Sequence, residues 1–381
     1  MNISKLYILL FFTAYLSCLC FGQTSVKNLT FDSLSRSYRL HLPLGYDESR
    51  PVPLVLNFHG LNSSALLQEA YTQMSVAADA EGFMVVYPEG IDQRWNVKIG
   101  ELENDSIDDV GFVVAILDTL MGEYNIDTNR IYATGMSLGG FMSYRLACEL
   151  SDRISAITSV AGLMSQELLD ICQPERPIPI LHIHGTQDNV VAYNGDEEFL
   201  SVDAVMAFWR SINSCELIPQ ITIIPDRDPN DGSTVLKLVY ACEAPAELVL
   251  FSIENGGHTW PGGIPLPNAV TNYDIDGTQE SWTFLQKHRL DGIFTSLDET
   301  PLTANQLIVF PNPFHEQVSV RSRLSIQKIE LYDNIGKLIH FSSIHQQQQI
   351  MLKMPSLAPG VYSLHLHTLA GRQQVQLLKC K

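Results

Sequence analysis

One stretch restricts what this chain can become more than any other. Tyr132-Ala-Thr-Gly-Met-Ser-Leu-Gly-Gly140 places Ser137 between Gly135 and Gly139. Upstream, Arg130-Ile-Tyr-Ala-Thr134 is β-branched and aromatic, the composition of a buried strand. Downstream, Phe141-Met-Ser-Tyr-Arg-Leu-Ala-Cys-Glu149 holds good helix formers and no breaker. A strand that passes into a helix through one serine needs a turn too tight for neighbouring side chains. Glycines at 135 and 139 supply the room, and Gly140 eases close helix packing. Such a turn lifts the Ser137 hydroxyl above the end of a sheet and aims the first helix amides at it, as a nucleophile elbow does. The plainer reading is a glycine-rich turn with an incidental serine. A strand before it and a helix after it favour the elbow.

The surrounding chain has the matching rhythm. Pro53-Leu-Val-Leu-Asn-Phe-His59, Gly82-Phe-Met-Val-Val-Tyr87, Ala156-Ile-Thr-Ser-Val-Ala161, Ile178-Pro-Ile-Leu-His-Ile-His184 and Glu247-Leu-Val-Leu-Phe-Ser-Ile253 are largely continuous apolar runs, typical of buried parallel strands. Helices are expected over about 64–81, 107–124, 197–213 and 279–289, with an edge strand at 37–43 and a hairpin pairing 220–224 with 234–240. Alternating strands and helices predict a mostly parallel sheet covered by helices, and together with the elbow this is the expected α/β-hydrolase fold. From about residue 304 the pattern changes to short strands separated by turns, which predicts a small all-β sandwich. The expected organisation is a signal peptide at 1–22, an α/β domain at 23–290, a linker at 291–303 and the β-sandwich at 304–381.

A serine hydroxyl is a weak nucleophile until a base takes its proton and a third group orients that base. In this fold class the partners follow as serine, acid, histidine, each on a loop after a strand. Asp188 follows one strand in Gly185-Thr-Gln-Asp188, and His258 follows another in Glu254-Asn-Gly-Gly-His258. Ser137, Asp188 and His258 are therefore the expected catalytic set. Asp196 reads as a helix-flanking carboxylate, His182 and His184 as structural histidines of an apolar strand, and His288 as a solvated helix residue. Two backbone amides should face the oxyanion, Leu138 N–H after the nucleophile and Leu61 N–H in the His59-Gly60-Leu61 turn. Trp260 and Trp95 are candidates to line the cleft, with core packing weighed equally against that role. His59 is a further substrate-side candidate whose plainer role is to hold its loop by hydrogen bonds.

Charge and cysteine usage narrow the class. The chain carries a formal charge of −18, unevenly placed, with 8 basic against 3 acidic residues after position 300 and 16 against 39 before it. So acidic a catalytic region repels polyanions, which excludes nucleic acid and favours neutral or carbohydrate-like substrates. Lys5, the apolar run from Leu6 to Leu19 and Cys20-Phe-Gly22 read as a signal peptide cut before Gln23, leaving no transmembrane segment in the mature chain. Four cysteines of the α/β region then face an oxidising compartment. Three pairings are possible, and the local ones, Cys148–Cys172 and Cys215–Cys242, are favoured. No cysteine spacing suits a metal, and no cofactor is expected.

The residues also resemble a family. His59-Gly60, Asp108-Asp-Val-Gly-Phe112, Ala133-Thr-Gly-Met-Ser-Leu-Gly-Gly140, Tyr144-Arg-Leu-Ala-Cys148, His184-Gly-Thr-Gln-Asp188, Tyr193-Asn-Gly195 and Gly256-Gly-His-Thr-Trp-Pro-Gly262 resemble the secreted feruloyl esterase/poly(3-hydroxybutyrate) depolymerase family of α/β hydrolases. The resemblance runs from about residue 30 to 290. It implies the same Ser137, Asp188 and His258, and disulfides at the same four cysteines. Leu138 departs from it, since the family often has asparagine there. Phe310-Pro-Asn-Pro-Phe314, Leu331-Tyr-Asp-Asn-Ile-Gly-Lys337 and Leu357-Ala-Pro-Gly-Val-Tyr362 resemble a type IX secretion C-terminal sorting domain. That implies handling by the type IX machinery and a secreted or surface-attached product; a carbohydrate-binding or adhesion module is the alternative for the tail. The expected activity is a secreted serine carboxylesterase acting on feruloyl or acetyl esters of plant polysaccharide. A polyester depolymerase, marked by exposed apolar surface around the cleft, is the first alternative. A catalytically silent surface-displayed binding protein is the second.

Overall fold

The continuous apolar runs of the first 290 residues become the middle of a ten-stranded sheet. The computed structural model describes residues 23–293, except 101–103, 105 and 244, and residues 307–379, except 311–316, 334, 335, 355, 356, 359, 369 and 370. The expected signal peptide, linker residues 294–303 and Cys380 lie outside the described residues. The chain divides into two compact units, Met1–Thr295 and Ser296–Lys381.

In the first unit the strands are β1 (Gln23–Phe31), β2 (Leu34–Leu42), β3 (Val52–Phe58), β4 (Met84–Pro88), β5 (Ile126–Met136), β6 (Ala156–Val160), β7 (Ile180–Gly185), β8 (Gln220–Ile223), β9 (Thr234–Tyr240) and β10 (Leu248–Glu254). Their order in the sheet is β1-β2-β4-β3-β5-β6-β7-β10-β9-β8. The six central strands, β4 to β10 in that order, are parallel, and antiparallel hairpins close both edges. Alternate residues serve opposite faces, as the two-residue period of a strand requires. On β3, Leu54, Leu56 and Phe58 join one core and Val55 the other. Helices α3 (Asp109–Glu123), α4 (Leu138–Glu149), α5 (Gln166–Ile171) and α6 (Val202–Ile212) cover the first face. The second is covered by α1 (Ala65–Thr72), α2 (Met74–Glu81) and α7 (Gly277–Leu285). This is the α/β-hydrolase arrangement.

Several expectations need correction. The helix expected over 64–81 is broken at Gln73, which adopts a left-handed φ of 52° and ends α1 while starting α2. Glutamine's helix propensity gives no sign of this break. The Thr278 hydroxyl donates to the Thr72 carbonyl from the far end of the domain. The closing helix stops at Leu285, and His288 lies in a two-strand ribbon, β11 (His288–Arg289) with β12 (Gly292–Ile293). His288 is buried beside Glu247 rather than solvated. β1 had no counterpart in the expected strands.

Both local disulfides form, Cys148–Cys172 and Cys215–Cys242. Among the described residues no helix is long and apolar enough to cross a membrane.

The second unit is all-β, with β13 (Leu307–Phe310), β14 (Gln317–Tyr332), β15 (Leu338–Lys353), β16 (Gly360–Thr368) and β17 (Gly371–Lys379). Where short strands were expected, residues 317–332 form one long β14. Register shifts between Arg321 and Lys328 interrupt its pairing with β15, and such irregularities let one strand bend and serve two parts of a small core. Val318 and Val320 share that core with Leu364, Leu366 and Leu377.

Candidate active site

Ser137 sits between the end of β5 and the start of α4 with φ 56° and ψ −125°. A non-glycine residue there costs on the order of 1–3 kcal/mol and persists only where its surroundings over-determine it. The surroundings do so. The Ser137 N–H donates to the Val160 carbonyl at 2.9 Å, and a Cβ at Gly139 would collide with the Phe58 carbonyl. The elbow is thus clamped between β3 and β6, with the hydroxyl at the C-terminal end of the sheet.

Leu138 is the first residue of α4, so its N–H has no intrahelical acceptor. The Gly60 turn packs against the serine: a Cβ on Gly60 would stand 3.3 Å from Ser137 Cβ and 3.8 Å from Oγ. In that turn Asn62 N–H donates to Gln93 O and Ser63 N–H to Gly60 O, while Leu61 N–H has no acceptor among the described residues. The two amides expected to face an oxyanion are therefore both unpaired and beside Ser137. His59 is wholly buried and holds this turn. Its Nε2 accepts from Gly90 N–H at 3.0 Å, which leaves the Nδ1 proton to donate to Gly60 O at 2.8 Å. Burial pushes its pKa down, in keeping with a neutral ring.

Asp188 and His258 leave the C-terminal ends of β7 and β10, which pair in parallel through Ile253 and Gly185. Gly185 lets the two loops meet, since a side chain there would enter the Gly256 backbone. His258 Nδ1 lies 2.7 Å from Asp188 Oδ2. The other carboxylate oxygen, Oδ1, accepts from Val190 N–H at 2.9 Å and Val191 N–H at 2.8 Å. Burial alone would raise the Asp188 pKa, but hydrogen bonding from His184 and His258 outweighs it and holds the carboxyl below the ordinary range. Ser137 and His258 line one pocket, although no hydrogen bond joins them. Asp196 instead caps its own turn, accepting from Glu198 N–H and Phe199 N–H.

The pocket has a volume of about 410 Å³ and a largely apolar wall. Leu61, Leu67, Tyr71, Met136, Ile264 and Leu266 line it with Ser137 and His258. Neither tryptophan contributes. Trp95 is fully buried, edge-on to Phe58, with its indole N–H donating to His59 O at 2.9 Å. Trp260 is 1% exposed in the second core, its indole N–H donating to Thr278 Oγ1 at 3.1 Å. Both rings are taken by the core because each finds an apolar environment and one acceptor for its single donor. His59 likewise serves its loop and not the cleft wall. The wall residues that sequence reasoning missed had a signal, namely apolar Leu67 in the first turn of a helix and Ile264 and Leu266 in a proline-rich loop.

Residues 36–172 match the family described as esterase PHB depolymerase, and residues 308–379 match the secretion system C-terminal sorting domain. A relative named "Putative esterase NocK", from Nocardia uniformis subsp. tsuyamanensis, is 31% identical over 263 residues, covering 64% of this chain and 75% of that protein. The chain belongs to the PHB-depolymerase esterase family. It is a carboxylic ester hydrolase with a type IX sorting tail, secreted or attached to the outer surface, and so not a silent binding protein. Feruloyl esterase B of Piromyces equi is 31% identical to this esterase over 238 residues, 58% of this chain but only 42% of that protein. Feruloyl esterase C of Emericella nidulans is 29% identical over 253 residues, 65% of this chain and 84% of that protein.

Proposed function

We propose that this esterase works through a Ser137–His258–Asp188 triad and an acyl-enzyme, and that its substrates are feruloyl-type esters of plant polysaccharide. The observation that carries the triad is the 2.7 Å Asp188–His258 hydrogen bond, which opens onto the pocket that also holds the strained Ser137. With Nδ1–H donated to Asp188, His258 presents Nε2 as the base. Ser137 Oγ attacks the ester carbonyl while its proton passes to Nε2, and the oxyanion is met by Leu138 N–H and Leu61 N–H. Collapse expels the alcohol, which takes the proton from His258. Water then repeats the sequence, and the acid leaves.

The acyl preference follows from the wall. An acetyl group would leave most of 410 Å³ empty, whereas an aromatic acyl group gains from apolar burial on Leu67, Tyr71, Ile264 and Leu266. The names of the feruloyl esterase relatives point the same way. A second reading is polyester depolymerisation, favoured by one feature: Leu67 and Ile264, at the pocket, are 57% and 61% exposed, a rim suited to an apolar chain.

Initial rates on methyl ferulate, acetylated xylan and emulsified poly(3-hydroxybutyrate), with Ser137→Ala beside, test both. Serine-dependent turnover of ferulate above the other two is expected. Turnover of the polyester alone would replace the first reading by the second, and wild-type rates in Ser137→Ala would refute the triad.

A further inference from the structure

Behind the Asp188–His258 pair lies a row of buried polar groups for which ester hydrolysis as described above has no use. Tyr144 of α4 and His182 and His184 of β7 are at most 1% exposed. Tyr144 Oη lies 2.8 Å from His182 Nδ1, and His182 Nε2 lies 3.1 Å from His184 Nδ1. His184 Nε2 is 2.8 Å from the Val191 carbonyl oxygen and 3.4 Å from Asp188 Oδ2. His182 and His184 stand two residues apart on one strand and so share a face of the sheet. Their rings stack at 5.2 Å, and Tyr193 packs edge-on to His184 at 5.8 Å.

The far end of the row fixes its protons. The Val191 carbonyl and the Asp188 carboxylate only accept, so a neutral His184 carries its proton on Nε2. Its Nδ1 must then accept from His182 Nε2–H, and His182 Nδ1 must accept from the Tyr144 hydroxyl. Burial keeps His182 and Tyr144 uncharged, driving His182 well below the ordinary imidazole range and Tyr144 above the ordinary phenol range. Every donor points along the row toward the turn from Asp188 to Val191, an alignment in which neighbouring hydrogen bonds polarise one another.

We propose that His184 is a positioning residue for Asp188, and that Tyr144 and His182 are the struts that hold His184 in its Nε2–H tautomer. The proposal rests on the reading of Asp188 as the group that orients His258. His184 reaches the Asp188 turn twice, through the Val191 carbonyl and through Oδ2, the oxygen that binds His258. Oδ1 is fixed by the two amides of Val190 and Val191. His184 therefore supplies the remaining constraint on where Oδ2 points. It does not line the pocket, so substrate binding is indifferent to it.

Two measurements test this. Long-range proton–nitrogen NMR of the wild-type enzyme labelled with ¹⁵N-histidine should find both His182 and His184 neutral and protonated on Nε2. A His184 protonated on Nδ1, or on both nitrogens, would overturn the proposal without any variant. Kinetics on p-nitrophenyl acetate should show His184→Leu losing kcat on the order of 100-fold, the cost of a misplaced catalytic group, with KM nearly unchanged. His184→Gln, which returns an N–H near the Nε2 position, should recover most of that loss. A folded His184→Leu with wild-type kcat, or a His184→Gln no better than leucine, would refute the role. Ser137→Ala run beside them separates the two layers: if it is inactive while His184→Leu is fully active, only the positioning role falls, and if it stays active the triad itself falls.

Discussion

Replacing Asp188 by asparagine swaps one oxygen for an NH2 group without changing the shape of the side chain, and the surroundings dictate which oxygen is lost. Oδ1 accepts from two backbone amides, Val190 and Val191, that cannot turn away. The asparagine must keep its oxygen there, which puts its NH2 in place of Oδ2, 2.7 Å from His258 Nδ1. Donor then faces donor. The imidazole escapes by moving its proton to Nε2 and accepting at Nδ1, but an Nε2–H ring cannot take the Ser137 proton. General-base catalysis is worth roughly 10²–10⁴-fold. Loss of both the base and its orientation should therefore lower kcat by about 10³–10⁴-fold, or about 4–5.5 kcal/mol of barrier. The pocket wall is untouched, so KM should stay within about three-fold on the reading that uniform binding is retained. Steady-state rates on p-nitrophenyl acetate, with far-ultraviolet circular dichroism to confirm the fold, provide the assay. A folded Asp188→Asn enzyme that loses less than about ten-fold in kcat would refute the tautomer argument, since no smaller loss follows from a missing base.

Four further outcomes are expected. Ser137→Gly should be inactive yet more stable than Ser137→Ala by roughly 1 kcal/mol in urea unfolding, because glycine relieves the positive φ. Removing the Cys148–Cys172 link with a paired alanine substitution, which opens a loop of sequence separation 24, should cost about 3 kcal/mol by the same measurement under non-reducing conditions. Trp260→Ala should cost about 3–5 kcal/mol as a core truncation, and an effect confined to KM would instead return this ring to the cleft. The depressed Asp188 pKa gives stability that is complete above the unfolded-state value of about 4 and is lost as pH falls toward the lower folded-state value. Between pH 5 and pH 3 the wild type should thus lose more unfolding free energy than Asp188→Asn.

The features legible in the sequence are those whose cause is local. The elbow could be read because part of the demand for its glycines is local: a Cβ at Gly135 would meet the backbone of Gly139, four residues on. Asp188 and His258 could be placed because each follows a recognisable buried strand, and sheet order then brings them together. The break at Gln73 could not be read, since the group that takes up the freed Thr72 carbonyl is a hydroxyl at Thr278, 206 residues further on. Trp95 and Trp260 were ambiguous for a different reason. A large ring with one donor suits a core and a cleft equally, and only the presence of His59 O and Thr278 Oγ1 decides between them. His184 looked like an ordinary strand histidine because its partner Val191 is brought back by a turn that sequence periodicity does not describe.

The parallel pairing of Ile253 with Gly185 has a consequence for how this enzyme can change. Asp188 and His258 are spaced by the width between neighbouring strands, about 4.8 Å, and not by the length of chain that runs from one to the other. That chain includes α6 and the β8–β9 hairpin, which lie outside the β7–β10 pair that sets the distance. Changes along the exposed edge strand β8 could therefore reshape what the enzyme meets while leaving the Asp188–His258 spacing untouched. The sheet makes diversification and chemistry separately heritable.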